Sequence, residues 1–258
     1  MTGKNVSRFM ATTTTLTPMS FREWRDRVLE RMRVLIVAGI ATGVIVVGIG
    51  SRLAMLLLRV TSPERVNGLQ SDDDFTIGKV TLAGTYNLML LGALVGLIGF
   101  AVYRLVRPWL VGPQWFRRLT MALASGAVAG SMLVHADGID FTVLKPTWLA
   151  IGLFVALPAL FAVAIGVTVD SVSRPESWTA RGRWRWLLPI VVVACFPVMV
   201  LFLAFALVPV GIWALARDAD LPSEIRSVRW LPNVVRAAWL SIAVAGLVSL
   251  LGDVNSLT

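Results

Sequence analysis

The chain has 258 residues, of which 57% are apolar and 15% are charged, and its formal net charge is +9. Soluble domains are roughly 45–50% apolar and about 25% charged. The composition therefore excludes an ordinary soluble domain and predicts an all-α fold, a polytopic membrane helical bundle. Cys195 is the one cysteine, which excludes an intrachain disulfide and a cysteine-based metal cluster. Basic loops against an anionic lipid leaflet explain the positive charge, so we expect no nucleic-acid partner.

The amino-terminal region is predicted to contain a tail and one surface helix. Residues 1–19 have little apolar periodicity and are interpreted as a flexible cytoplasmic tail. Ser20 and Glu23 fit a capping box at the start of a helix. Residues 20–33 place apolar side chains on one helical face and arginines on the rest of the surface, a pattern typical of an amphipathic interfacial helix. A straight cytoplasmic extension of the first membrane span is the alternative interpretation.

Six apolar segments follow, each a candidate membrane span. A bilayer core needs about 20 helical residues. The predicted transmembrane domain covers residues 34–252, and residues 253–258 form a short carboxyl-terminal tail. Within it the predicted spans are about 34–60, 86–106, 119–134, 147–169, 187–215 and 234–251.

The charges divide unequally between the two sides of these six spans. One side carries fifteen of the 24 Lys and Arg residues and six of the 15 Asp and Glu residues, and the other side carries nine of each. Cytoplasmic loops carry an excess of Lys and Arg, which predicts that both termini are cytoplasmic and that anionic lipids meet this face. Arg outnumbers Lys 21 to 3, a bias typical of bacterial genomes rich in G and C. We therefore expect a multi-pass protein of a bacterial plasma membrane, in contact with the lipid bilayer.

Each of the first three spans contains a pair of glycines four residues apart. Small residues at this spacing mark the faces where membrane helices approach closely, so the first three spans are expected to form the tight centre of the bundle. The same faces could instead serve a protein partner or a homo-oligomer. The predicted helix-packing residues are Gly39, Gly43, Gly92, Gly96, Gly126 and Gly130.

Two acidic outer loops supply the candidate interaction site. Each contains Asp-Phe-Thr, which indicates either an internal repeat of two hairpins or a chance match. The loop carboxylates could pair with arginines at the helix ends, or bind a hard cation through oxygen ligands. The candidate residues on this outer face are Arg52, Asp72, Asp73, Asp74, Phe75, His135, Asp137, Asp140 and Phe141.

Three functions remain open from the sequence. The first is a non-catalytic subunit or scaffold of a larger membrane complex, because the chain has packing faces and no recognisable catalytic motif. The second is a small transporter or channel. The third is a membrane enzyme that uses His135, Asp137 and Asp140 at the outer face. The sequence assigns no catalytic residue, no metal ligand and no cofactor, and an enzyme is the least expected of the three.

Overall fold

The computed structural model describes residues 20, 26, 30–63, 81–134, 141, 145–174, 176–181, 183–195 and 231–257. Within these ranges the chain is helical and contains no strand. The helices are α1 (Glu30–Thr61), α2 (Leu82–Val106), α3 (Gln114–Leu133), α4 (Thr147–Val172), α5 (Trp184–Cys195) and α6 (Leu231–Leu257). Short 3₁₀ turns follow α2 at Arg107–Trp109 and precede α5 at Trp178–Ala180.

The helix boundaries follow from local sequence signals. The side-chain oxygen of Thr81 accepts a hydrogen bond from the Gly84 N–H at 3.1 Å and caps the start of α2. Pro113 and Pro146 stand immediately before α3 and α4, where the fixed φ of proline suits a helix start. Between α2 and α3, Gly112 has a φ of +99°, a conformation that glycine adopts without steric cost.

Most of the membrane part of α1 is wound as a π-helix. The π-helical stretches are Leu35–Ala41 and Gly43–Ile49, and an α-helical stretch, Gly50–Thr61, completes the element. A π-helix closes its hydrogen bonds over five residues instead of four. Because of the wider turn, glycines spaced four and five residues apart can share one face of α1.

The helices form two pairs joined by α4. The helices α1 and α2 pack together along most of their length, and α3 packs on both α4 and α6. The helix α4 also contacts α1 and α2, and a hydrogen bond of 3.3 Å joins Thr42 of α1 to Thr168 of α4. One apolar core therefore lies among α1, α2 and α4 and includes Met121 of α3, and a second lies where α1, α3, α4 and α6 meet.

Four of these helices are long and apolar enough to cross a membrane: α1, α2, α4 and Arg236–Leu257 of α6. The helix α3 coincides with the predicted third span, but its arginines and small polar residues keep it out of this group. Most of the predicted fifth span lies outside the described residues, which include its start as α5. The arrangement of six spans therefore stays a prediction.

The described part of the predicted interfacial helix continues directly into the first span. Glu30 to Arg33 belong to α1, so for these residues the structure follows the straight extension. Apart from Ser20 and Asp26, the rest of the predicted interfacial segment lies outside the described residues, as does the whole of the 1–19 tail.

The direction of α6 differs from the prediction that both termini share one face. The Arg236 Nε donates to the Trp109 carbonyl at 2.8 Å, so α6 begins at the end of the bundle where α2 and α4 finish. We name this the basic end. Leu250 packs with Leu58 and Val134 at the opposite end. The first and last described helices therefore have their outer termini at opposite ends, because α6 runs parallel to α3 rather than antiparallel to it.

Candidate functional site

The glycines of α1 and α2 bring the two backbones into direct contact. A Cβ added to Gly43 would overlap the Gly92 carbonyl oxygen and would lie 2.7 Å from the Gly96 Cα. A Cβ on Gly92 would lie 2.7 Å from the Gly43 carbonyl oxygen, and one on Gly39 would lie 3.3 Å from the Gly96 carbonyl oxygen. Since side chains cannot enter this interface, van der Waals packing of main chain on main chain holds it together.

The third glycine pair faces other helices. A Cβ on Gly126 would lie 3.1 Å from the Val155 carbonyl oxygen of α4, and one on Gly130 would lie 2.9 Å from the Val155 side chain and 3.4 Å from Leu250 of α6. The expectation that the first three spans form one tight centre is therefore wrong. Only α1 and α2 meet through their glycines, and α3 uses its own glycines against α4 and α6.

Two of the predicted outer-face residues are described. Arg52 lies half-buried in the α-helical part of α1. Phe141 is 2% exposed and packs edge-to-face on Phe154, with 5.1 Å between ring centroids. Phe141 therefore belongs to the apolar core at that end instead of to an accessible surface. The remaining candidates lie outside the described residues: Asp72, Asp73, Asp74, Phe75, His135, Asp137 and Asp140.

A polar cluster that the sequence reasoning missed lies at the basic end. Its centre is Asp170, in the last turn of α4, whose side chain is 13% exposed. One carboxylate oxygen accepts from Arg107 at 2.5 Å. The other accepts from Gln114 at 2.6 Å and from Arg118 at 2.9 Å. One carboxylate thus ties together the end of α2, the first turns of α3 and the end of α4.

A cavity of about 240 Å³ opens beside this carboxylate. The guanidinium of Arg107 also stands over the Tyr103 ring, 5.7 Å from its centroid, in the range of a cation–π contact. The Arg117 Nε donates to the Gly112 carbonyl at 2.7 Å. The residues that line the cavity are Tyr103, Arg107, Leu110, Gln114, Arg117, Arg118 and Asp170.

A second arginine contact at the basic end is fully buried. Arg33 of α1 has no exposed surface. Its guanidinium donates to the Thr179 hydroxyl at 2.8 Å, to the Val172 carbonyl at 3.0 Å, and to the carboxylate of Glu30. A cation at the carboxyl end of a helix is stabilised by the unpaired carbonyls there. Arg33 therefore fastens the start of α1 to the end of α4.

The sequence placed Arg33 on the predicted interfacial helix and Arg107 and Arg118 in a basic loop, without a partner for any of them. The signal that identifies the cluster is Asp170, a carboxylate at the end of an apolar span and beside loops rich in arginine. Gly48 was also missed: a Cβ there would lie 3.0 Å from the Leu88 carbonyl oxygen. Its spacing of five residues from Gly43 departs from the four-residue rule, and the π-helical turn of α1 accounts for the difference.

Comparison of the chain with protein-family models, with curated proteins and with solved structures finds no match. The class of the protein therefore depends on its own helices. Four helices of membrane-spanning length and hydropathy, packed through glycines and tied at one end by arginines, define a helical membrane protein.

Proposed function

We propose that this protein is a non-catalytic subunit or scaffold of a larger membrane complex, and that α6 presents the surface that meets a partner. The observation that carries the proposal is the division of the exposed surface of α6 into two faces of different size. We place the complex in a bacterial plasma membrane with the basic end toward the cytoplasm, since the positive-inside rule supports that orientation.

The inner face of α6 is fully used within the bundle. Among the α6 residues whose burial is described, Gly246 and Leu250 are buried, and a Cβ on Gly246 would lie 3.0 Å from the Val128 Cα of α3. Only 11% of the apolar window of α6 is buried, compared with 44% for α1. Most of α6 therefore faces outward from the described part of the chain.

The outward surface is not uniform. Successive helical turns place small exposed residues on one side, and two of them carry hydroxyl groups that can hydrogen-bond across helices. The neighbouring side has only large aliphatic residues, which suit lipid chains. The small face consists of Ala237, Ser241, Ala245 and Ser249, with the exposed Ile242 and Val248 beside them, and the aliphatic face of Leu240, Val244, Leu247 and Leu251.

A repeated small-residue spacing is typical of membrane helix interfaces, because it allows two backbones to approach. In this chain the same chemistry already joins α1 to α2. The occupant that fits the small face of α6 is therefore another transmembrane helix, and we propose that a separate polypeptide supplies it.

The transporter alternative has less support. The backbones of α1 and α2 are in contact at Gly43, Gly92 and Gly96, which leaves no space for a water-lined path between these two helices. A path would have to run between other helices, and the described residues supply no observation that favours one.

Site-specific photo-crosslinking in the native membrane tests the proposal. A photoreactive amino acid placed at Ala245 is expected to yield one discrete protein–protein adduct, and the same probe at Leu247 is expected to yield lipid adducts alone. Ala245→Leu should abolish the adduct formed by a probe at Ser249, while Val244→Leu should leave it unchanged. An absence of protein adducts at both faces, or equal adducts at both, would overturn the proposal.

A further inference from the structure

We infer that the cavity at the basic end binds the phosphate group of an anionic lipid. The inference concerns a different surface from α6 and does not depend on a partner protein. It is supported by the charge of the cavity, by the donors that line it and by its position relative to the membrane.

The charge of the cavity lining is positive. Arg107, Arg117 and Arg118 contribute three cationic groups, and Asp170 contributes one anionic group, so two positive charges are in excess. Each nearby helix end contributes roughly half an elementary charge, positive at the start of a helix and negative at its end. The ends of α2 and α4 are negative and the start of α3 is positive, so the excess stays above one positive charge.

The geometry of the arginines is held in place before any ligand arrives. Asp170 fixes Arg107 and Arg118 from one side, and the Gly112 carbonyl fixes the Nε of Arg117. The Arg118 Nε is buried and has no hydrogen-bond partner among the described residues. A phosphate oxygen in the cavity would supply an acceptor for donors of this kind, since guanidinium and phosphate groups match in geometry.

The position of the cavity favours a lipid over a free anion. Trp109 and Trp115 are next in the chain to the lining residues Leu110 and Gln114, and tryptophans concentrate at the level of the lipid headgroups. Leu105, two residues before Arg107, and Leu119, one residue after Arg118, are exposed apolar side chains. Basic pockets between membrane helices on the cytoplasmic side are typical sites for anionic headgroups. A cavity of about 240 Å³ holds a headgroup, while the acyl chains would lie along the exposed apolar surface.

Native mass spectrometry of the full chain tests the inference. The protein is purified in mild detergent and supplied with phosphatidylglycerol, with phosphatidylcholine, or with inorganic phosphate. Phosphatidylglycerol is expected to remain bound at least tenfold more than phosphatidylcholine. Arg117→Gln should reduce this retention about fivefold, and Arg118→Gln should reduce it by at least as much. The matched control is Arg181→Gln, which removes an exposed arginine that does not line the cavity, and it should change retention less than twofold.

The arms of the experiment separate the possible outcomes. Equal loss in the cavity variants and in Arg181→Gln would overturn the inference, because it would show attraction to a diffuse basic surface. Unchanged retention in Arg117→Gln would also overturn it, and this variant leaves the bonds to Asp170 in place if Arg118→Gln fails to fold. Tight binding of inorganic phosphate that the cavity variants abolish would support the phosphate chemistry and assign it to a free anion.

Discussion

The two helix pairs of this molecule, α1 with α2 and α3 with α6, differ in how closely their backbones approach. In the first pair, glycines from both helices interlock and a Cβ at Gly43 would overlap main-chain atoms of the other helix. In the second pair, Gly246 of α6 lies against the α3 backbone, and Gly130 of α3 lies against the Leu250 side chain. The α1–α2 interface is thus closed to side chains, whereas the α3–α6 contact leaves most of the α6 surface exposed.

The comparison predicts that the largest effect of a single methyl group falls on the α1–α2 interface. Gly43→Ala should destabilise the protein by about 3 kcal/mol or more, because rigid backbone atoms cannot move aside as a side chain does. Thermal unfolding in detergent measures the loss. The control is Gly152→Ala in α4, where a Cβ would meet nothing within 4 Å. Similar unfolding temperatures for the two variants would show that the backbone contact is not critical.

The next largest effect is expected at Arg33. Arg33→Gln should cost about 3 kcal/mol, the typical effect of breaking a buried ionic contact, and the start of α1 should separate from the end of α4. Protease sensitivity and thermal unfolding report the change. Arg31→Gln removes a neighbouring exposed arginine and should cost less than about 1 kcal/mol. Equal losses in both variants would contradict a special role for the buried guanidinium.

Asp170 joins the two pairs through α4, and its removal should have an intermediate effect. Asp170→Asn is expected to cost about 1–2 kcal/mol, less than a fully buried ion pair, because Arg107 and Arg118 are about one-third exposed and water can replace part of the interaction. Thermal unfolding in detergent measures this cost, with Asp253→Asn in α6 as the control. An Asp170→Asn variant with unchanged thermal stability would mean that the carboxylate does not hold the ends of α2, α3 and α4 together.

A smaller loss is expected at the α3–α6 contact. Gly246→Ala places a Cβ 3.0 Å from the Val128 Cα and 3.2 Å from the Ala127 carbonyl oxygen, which a slight shift of a peripheral helix can relieve. The cost should be about 1 kcal/mol. If Gly246→Ala proves as damaging as Gly43→Ala in the same unfolding assay, the contrast between the two pairs disappears.

The smallest effect on stability, and a decisive one for topology, is expected from a cysteine near the carboxyl end. Ser256→Cys in a Cys195→Ser background should leave unfolding unchanged. In oriented membrane vesicles it should react with an impermeant thiol reagent from the side opposite to that of Arg181→Cys. Labelling of both cysteines from one side would support the predicted shared face and contradict the observed direction of α6.

The sequence predicts the helical class and most spans well, and it predicts the partners of those helices poorly. Apolar segments of about 20 residues define α1, α2, α4 and α6 because burying an unpaired backbone in lipid is too costly for other structures. The glycine pairs indicate close contacts. They do not say which helix is met, and Gly126 and Gly130 meet Val155 and Leu250 instead of α1 or α2. Pairing depends on three-dimensional arrangement, which spacing along one helix does not encode.

The sequence also predicted the functional residues poorly. The acidic outer loops have an obvious sequence signature, and the one aromatic residue described from them, Phe141, is buried in the core. The cluster at Asp170 has no comparable motif, because its members come from three helices separated by as many as 63 residues in the chain. Only folding brings Arg107, Gln114, Arg118 and Asp170 within hydrogen-bonding distance.

The sequence by itself determined the membrane class and the existence of a basic side, because hydropathy and charge are properties of each residue and of its near neighbours. The tertiary structure decided at which end of the bundle each helix begins and ends. Arg236 lies at the basic end and Asp253 toward the opposite one, which is the reverse of the sides predicted for these two residues. The sequence could not give this direction, since it is set by the contacts of α6 with Trp109, Val128 and Leu58.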